Sequence, residues 1–389
     1  MRKHFIFIND STGELDWIAP YLKSLDETEN LIYVCLSLPR FNTKRRNTTY
    51  LDYFKDTRIN HYNISKYTHR ILRVEFFIER VFAHLIPHRV INLKLNSFIS
   101  TSLSFLVPMK CKNFSLCYID YNLKEKSLYK AFLRKNPKSK VVIFPHSTAL
   151  MTNSIKTPKP KKTKKIRCDL FLENTKYNSA FNDYSDVMAV VGSPTLDVFR
   201  NIDKKSIEKS ILILTRRFES TFAMAESETL NNYSSIVKYY SKMGYIINVK
   251  HHPRDTQTEK WNLDNDKYQI IKVSEDISRV KTNFSAVFSV YSSAPVLFAS
   301  RGIPTFDFTA YKGTTEALPY HYLDKDNNIT HELIELGIIK KIDNITEQSL
   351  SIIQPSELKD IGLNQKEMVN QIFGHNAAKK IQDKIDALF

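Results

Sequence analysis

The sequence predicts an α/β protein made of two Rossmann-like domains. Short apolar runs typical of buried parallel strands alternate with helical stretches, first from residue 5 and again from residue 211. A short polar segment, 200–210, separates the two alternations and is typical of a linker. The chain has 389 residues, which is enough for two domains of ordinary size.

In the first half, the pattern predicts strands at 5–8 and 31–36 with a helix at 17–25 between them, and further strands at 116–120 and 141–144. No G-x-G-x-x-G follows the first strand, so a dinucleotide site of the usual kind is not expected. The predicted domains are an acceptor domain over 1–200, a donor domain over 201–365 and a C-terminal helix, 366–389, that packs back on the first domain.

Composition and charge narrow the class of protein. Apolar residues make up 42% of the chain, which allows sizeable cores, and the formal net charge of +16 favours an anionic substrate, a membrane surface or a polyanion. The alternative is that part of the excess charge is solvated lysine. The four cysteines are scattered and lack zinc-site spacing, which predicts reduced thiols in a cytoplasmic protein. No apolar run is long enough for a signal peptide or a membrane span.

Two basic segments have open interpretations. Residues 65–107 interleave Arg and His with Phe, Ile and Leu, which predicts a basic amphipathic helix ending before Pro87. It either contacts a membrane surface or a lipid-linked acceptor, or packs on the core with a solvated basic face. The Lys- and Pro-rich segment 156–165 predicts an exposed loop. It has no interleaved aromatic residues, so nucleic-acid binding is not expected.

Three polar clusters of the second half follow predicted strands, at 215–220, 250–254 and 292–293. The carboxyl ends of parallel strands lie along one edge of a sheet, where open α/β sheets bind ligands. Lys250, His252 and Arg254 supply charge and hydrogen-bond donors. Ser292 and Ser293 are predicted to open a helix whose free N–H groups attract phosphate. Together these residues predict a site for one or two phosphate groups.

The order of these motifs resembles that of a known group of bacterial enzymes. The K-x-H-P at 250–253 resembles their HP motif, and the serines at 292–293 resemble their paired-serine motif. The G-S-P-x-x-D at 192–197 and the G-I-P at 302–304 resemble two further turns of related enzymes. The group contains GT-B glycosyltransferases that use cytidine nucleotides: sialyl- and polysialyltransferases, β-Kdo transferases and CDP-glycerol glycerophosphotransferases. The resemblance spans roughly residues 140–310 and implies a GT-B fold, with two Rossmann-like domains facing across a cleft.

The resemblance also implies roles for individual residues. His252, Pro253, Ser292 and Ser293 hold the donor nucleotide, and Lys250, Arg254 and Arg216 are assigned to it on charge. The β-Kdo transferases look nearest, because they carry a functional carboxylate at the position of Glu219. Those enzymes have Asp there, so Glu219 is interpreted as a nucleophile, a base or an ion-pair partner of a neighbouring arginine.

The acceptor hydroxyl group requires a base in the first domain. The candidates at predicted strand ends are Asp10, Asp120, His146 and Glu173. The paired Asp-Gly motif of many sialyltransferases is missing, which counts against that activity. No DxD motif indicates a metal, and a basic phosphate pocket can stabilise the leaving nucleotide without one.

The expected function is transfer of a sugar, Kdo from CMP-Kdo, to a glycan or lipid-linked glycan acceptor in lipopolysaccharide O-antigen or capsule synthesis. No cofactor besides the nucleotide-sugar donor is expected, and the expected location is the cytoplasm, with peripheral contact with the inner membrane. The alternatives are sialyl or polysialyl transfer from CMP-sialic acid, and glycerol- or ribitol-phosphate transfer from a CDP donor. An alternative of another class is a non-catalytic basic protein that binds nucleic acid or a membrane surface.

Overall fold

The computed structural model describes the main elements of both halves of the chain. Up to residue 202 it describes residues 2–8, 13–26, 28–36, 59–63, 115–120, 132–145, 167–176 and 186–202. From residue 205 to the end it describes the chain except 207–208, 219–223, 253–254, 264–267, 276, 278–279, 312–321, 324–325, 327, 343–344 and 352–354. The predicted amphipathic helix of 65–107 and the Lys- and Pro-rich loop of 156–165 lie outside the described residues.

The first half forms a seven-stranded sheet in the order β3-β2-β1-β4-β5-β6-β7. All its neighbouring strands are parallel. The strands predicted from 5–8, 31–36, 116–120 and 141–144 are confirmed as β1, β2, β4 and β5. The strands are β1 (Arg2–Ile8), β2 (Asn30–Leu36), β3 (Ile59–Asn63), β4 (Ser115–Asp120), β5 (Lys140–Phe144), β6 (Leu170–Glu173) and β7 (Met188–Val190).

The second half forms a six-stranded parallel sheet in the order β11-β10-β9-β13-β14-β17. Two short two-stranded pairs, β8 with β12 and β15 with β16, accompany it. The strands are β8 (Lys205–Ser206), β9 (Ser210–Leu214), β10 (Ile246–Lys250), β11 (Ile270–Lys272), β12 (Thr282–Asn283), β13 (Ala286–Ser289), β14 (Thr305–Asp307), β15 (Tyr322–Leu323), β16 (Ile329–Thr330) and β17 (Lys340–Lys341).

The helices are α1 (Gly13–Ser24), α2 (Pro194–Arg200), α3 (Glu226–Lys242), α4 (Pro295–Ala299), α5 (Glu332–Glu335), α6 (Glu347–Ser351), α7 (Pro355–Phe373) and α8 (Ala377–Asp386). The predicted first helix begins four residues earlier than expected, at Gly13. Among the described connections, α1 joins β1 to β2, α3 joins β9 to β10 and α4 joins β13 to β14, as is usual for parallel strands.

Strand β9 shows why the second sheet is buried on both faces. Successive side chains of a strand point to opposite faces. Ile211 and Ile213 therefore pack in one apolar cluster with α3, while Leu212 and Leu214 pack in another with α4 and α7. The sequence of a strand that is covered on both faces is a continuous apolar run rather than an alternation of apolar and polar residues, as is typical of parallel sheets covered on both sides.

The two C-terminal helices pack on different sheets. Val369 and Phe373 of α7 belong to the core of the second sheet, whereas Ile381 and Ile385 of α8 are fully buried in the core of the first. Burying each isoleucine contributes roughly 1.5–3 kcal/mol. Arg2 Nη1 donates to Asp386 Oδ1 at 2.6 Å, and this bond holds the pKa of Asp386 below its usual range.

The connection between the sheets is short and partly helical. Of the turn predicted at 192–197, only the first two residues precede a helix. Ser193 caps α2, and the helix begins at Pro194. Pro suits this position, since its fixed φ matches a helix and its missing N–H would lack a helical partner. The predicted linker 200–210 holds the last residue of α2 and the strand β8.

Two further observations concern buried or charged groups. His4 lies between Tyr118 and Asn30, and burial lowers the pKa of His4 to about 4. Cys117 and Cys168 are free thiols.

Within the described part of the chain, no helix combines the length and apolar character needed to cross a bilayer.

Candidate functional site

The three polar clusters predicted at strand ends meet at one edge of the second sheet. Strands β10, β9 and β13 are adjacent and parallel, with Lys250 and Ser289 both in register with Leu214. The loops that leave these strands therefore begin at the same level. This edge, formed by the described residues of 215–218, 250–252 and 290–293, is called the strand-end site below.

Two loops of the strand-end site are joined through His251. The side chain of Thr215 is hydrogen-bonded to His251 Nδ1 at 2.9 Å, and Thr215 N donates to Lys250 O at 3.1 Å. Burial is the main cause that lowers the pKa of His251, and Asp255 partly opposes it. The lowered pKa favours the neutral form of His251, whose ring links the loops after β9 and β10. His252, the predicted donor ligand, is the half-buried next residue of the same loop.

The two described cations of the predicted donor set both donate to backbone carbonyl groups. Arg216 Nη1 donates to Tyr291 O, and the Arg216 guanidinium lies 5.5 Å from the centre of the Tyr291 ring. Lys250 Nζ donates to Glu275 O. Arg216 therefore fastens the β9 loop to the residue that precedes the paired serines.

The prediction that Ser292 and Ser293 open a helix is wrong. Helix α4 begins at Pro295, and it is only five residues long. Ser292 Oγ accepts a hydrogen bond from Ala294 N at 3.2 Å, and Ser293 O accepts one from Val296 N of α4 at 3.3 Å, so the serines form the turn that leads into the helix. The physical reason is that Pro295 is best accommodated at the first helical position, where its missing N–H costs nothing.

A buried carboxylate, which the sequence did not single out, holds the serine turn. Tyr291 N donates to Asp307 Oδ2 at 3.0 Å and to Thr309 Oγ1 at 2.8 Å, and Thr309 N donates to Asp307 Oδ1 at 3.0 Å. Tyr291 has a φ of +35°, which side chains other than glycine rarely adopt. Because its N–H and its carbonyl group are both bonded, this backbone conformation is fixed.

The surroundings of Asp307 explain its protonation behaviour. Its side chain is 1% exposed, and burial raises its pKa, while the charge of His331 and the hydrogen bonds from Thr309 and Tyr291 oppose the rise. The Tyr291 ring packs on His331 with the ring centres 5.0 Å apart. Asp307 ends β14, next to β13, so its position at a strand end was the one signal in the sequence that could have identified it.

Several predicted residues cannot be placed in this geometry. Asp10, His146, Glu219, Pro253 and Arg254 lie outside the described residues. Asp120 ends β4 and is 1% exposed, and Glu173 ends β6 and is fully buried. Both carboxylates lie at the carboxyl edge of the first sheet, as expected, but under its surface. Among the residues that the structure describes, no group of three or more His, Cys, Asp or Glu side chains could hold a metal ion.

Comparisons with known proteins agree with this architecture. No protein-family profile matches the chain. No curated protein matches it either. The UDP-GlcNAc 2-epimerase from Methanocaldococcus jannaschii is similar over 100% of both chains, with a TM-score of 0.56 and 12% identity. The UDP-GlcNAc 2-epimerase from Neisseria meningitidis, bound to UDP-GlcNAc, is similar over 100% of both chains, with a TM-score of 0.55 and 14% identity. The wall teichoic acid polymerase TagF is similar with a TM-score of 0.52 and 9% identity, and the match covers 100% of this chain and 88% of TagF.

At such low identities the similarity shows the fold alone. The two parallel sheets, each starting with the order 3-2-1-4 in its own strands, are those of two Rossmann-like units. The chain therefore has the GT-B fold, in which two such units face one another across a cleft. The predicted fold class is confirmed.

Proposed function

We propose that the protein is a glycosyltransferase that moves a sugar from a cytidine-nucleotide donor, CMP-Kdo, to a growing surface glycan. One observation carries the proposal. Three loops bearing Arg216, Lys250, His252 and the serine turn converge at the carboxyl edge of the second sheet of a GT-B fold. Ligands of open α/β sheets bind at this edge.

The proposed reaction breaks one bond, forms one bond and transfers one proton. The bond between the anomeric carbon and the phosphate oxygen breaks, and CMP leaves with the bonding electron pair. The acceptor hydroxyl oxygen bonds to the anomeric carbon and gives its proton to a base. Lys250, Arg216 and His252 are proposed to stabilise the charge that develops on the leaving phosphate, since fixed donors in a partly buried site need no reorganisation. The candidates for the base are Asp10, His146 and Glu219.

The proposal includes partners and location. The donor carries a phosphate group and a carboxylate, which a basic site suits. Supporting similarity comes from proteins solved with UDP-GlcNAc or UDP, which bind a nucleotide in the same fold. The proposed acceptor is a glycan or lipid-linked glycan at the cytoplasmic face of the inner membrane. No metal or other cofactor is proposed to take part.

One competing function has support of its own. TagF, a wall teichoic acid polymerase, has the same fold, and the K-x-H-P and paired-serine motifs also resemble CDP-glycerol glycerophosphotransferases. The competitor is therefore transfer of glycerol or ribitol phosphate from a CDP donor. Both reactions release CMP, but only the phosphotransferase adds phosphorus to its acceptor. Phosphorus analysis of the glycan product therefore distinguishes the two reactions.

We expect cytidine nucleotides to stabilise the protein. In a thermal-unfolding panel of CMP, CDP, UDP and GDP, CMP and CDP should raise Tm in a saturable manner, because a ligand that binds only the folded state stabilises it. A larger response to UDP would instead favour a UDP-sugar enzyme. If no nucleotide raised Tm, the site assignment would be refuted and the non-catalytic alternative favoured.

We expect His252→Ala to lower the transfer rate by about 100-fold or more, the usual effect of removing one donor at a developing oxyanion. Lys384→Ala provides the control, because Lys384 is an exposed residue of α8 outside the strand-end site. Circular dichroism should show both variants folded. Full activity of His252→Ala would contradict its assignment to the donor.

A further inference from the structure

A second polar cavity lies away from the strand-end site, where the two halves of the chain join. Its volume is about 620 Å³, within the range of small-molecule sites. It is lined by α2, by the residues that follow α4, by α7 and by the bend before α8. Because the serine turn precedes α4 and the cavity follows it, the two sites lie at opposite ends of that helix. We call this space the junction cavity.

The lining of the junction cavity is basic. Arg200, Arg301 and Lys366 contribute three positive charges, and Asp197 contributes one negative charge. The Asp197 carboxylate is already bonded on both oxygens, to Arg200 Nη1 at 3.0 Å and to Ala377 N at 2.6 Å. Of the described residues that line the cavity, none offers a second carboxylate to the remaining cations.

Arg301 is the most deeply buried of these cations, at 5% exposure. Its Nη1 and Nη2 atoms donate to Val280 O, Lys281 O and Asn283 Oδ1 at 2.9–3.0 Å, all of them uncharged acceptors. Its Nε has no hydrogen-bond partner. A buried guanidinium without an opposite charge is costly, and burial lowers the pKa of Arg301.

Arg200, on the other side of the cavity, also has buried N–H groups without a hydrogen-bond partner. Its Nη1 donates to Gly374 O at 2.7 Å as well as to Asp197, while Nε and Nη2 have no partner. Buried N–H donors without a partner are rare in native structures, so these donors need an explanation. These N–H groups are shielded from solvent, so they favour an anion through their charge. Lys366 is half-buried and His375 is exposed, so these two side chains line the part of the cavity that solvent reaches. His375 Nδ1 is hydrogen-bonded to Arg200 Nη1 at 3.2 Å.

We propose that the junction cavity binds a small phosphorylated molecule. The positive end of α8, a ten-residue helix that begins beside the cavity, adds to the attraction for a phosphate group. A volume of about 620 Å³ accommodates more than a lone phosphate ion, and the amides of Asn201 and Asn370 suit hydroxyl groups. Such a ligand bridges α2 and the α7–α8 bend, so its binding stabilises the junction between the two units.

Thermal unfolding at constant ionic strength tests the proposal, with ribose 5-phosphate, inorganic phosphate and ribose as probes. Ribose 5-phosphate should raise Tm in a saturable manner and at lower concentration than inorganic phosphate, and ribose should have no effect. Lys366→Glu should weaken the ribose 5-phosphate response by about tenfold or more, because it replaces an attractive charge by a repulsive one. Lys359→Glu, an exposed position on the same helix, should leave the response unchanged.

The His252→Ala variant separates this site from the proposed donor site. It should lose the response to cytidine nucleotides but keep the response to ribose 5-phosphate. The junction site is overturned if ribose 5-phosphate gives no saturable shift, if Lys366→Glu responds like the unmodified protein, or if His252→Ala abolishes the ribose 5-phosphate response. None of these results depends on whether the protein transfers a sugar.

Discussion

Asp307→Ala is expected to lower the free energy of unfolding by about 3 kcal/mol and to weaken cytidine-nucleotide binding. The change removes the carboxylate that accepts hydrogen bonds from Tyr291 N and Thr309 N, which are both buried, and Tyr291 N keeps only its bond to Thr309 Oγ1. Each lost bond to a charged acceptor costs roughly 1.5–3 kcal/mol, and relief of the buried charge offsets part of the sum. Urea unfolding and nucleotide titration by calorimetry measure the two effects.

Ser289→Ala is the matched control for this change. Ser289 is a fully buried residue of β13, and its hydroxyl group donates to Phe306 O at 3.3 Å without contacting the serine turn. Its loss should cost about 1 kcal/mol and leave nucleotide binding unchanged. If Asp307→Ala bound nucleotides as tightly as the unmodified protein, Asp307 would be a structural residue with no part in positioning the turn.

Gly192→Ala is expected to destabilise the junction between the units by about 2–4 kcal/mol. Gly192 has a φ of +90°, and a Cβ atom there would lie 2.3 Å from Phe373 O. The left-handed conformation costs an alanine roughly 1–2 kcal/mol, and the contact with a backbone oxygen forces α7 or the turn to move, which adds a similar amount. Chemical denaturation with fluorescence detection measures the loss.

Gly244→Ala separates the two causes of this loss. Gly244 has a similar φ of +77°, but no atom lies within 4 Å of the position of an added Cβ. It should show only the conformational cost of about 1–2 kcal/mol. Equal losses in the two variants would mean that the contact between Gly192 and α7 contributes nothing to the junction.

The central strands of both sheets were predictable because they are recorded in local patterns, whereas the edge strands β3 and β17 were missed. The run around Ile211–Leu214 is apolar at every position, and this pattern is enough to indicate a strand buried on both faces. The convergence of the loops after β9, β10 and β13 was also predictable. It follows from the general rule that parallel strands place their carboxyl ends at one edge.

The network of the serine turn was not predictable. Asp307 lies 16 residues after Tyr291, and nothing in the local sequence indicates that its carboxylate accepts the Tyr291 N–H. The position of the serines was misjudged for a related reason. The pattern predicted that the serines open a helix, whereas α4 begins at Pro295 and the serines form the turn that leads into it.

Gly362 is a residue whose presence cannot be explained from the local sequence. In the middle of α7, Gly362 looks unfavourable, because glycine costs a helix about 1 kcal/mol relative to alanine. The tertiary structure gives the reason for it, since a Cβ at Gly362 would lie 2.2 Å from Gly302 O. The sequence alone therefore indicated the central strands of the two sheets and the convergence of their loops at one edge, which depend on periodicity and strand direction. The serine-turn network, the junction cavity and these glycine contacts depend on residues distant in sequence, and only folding brings such residues together.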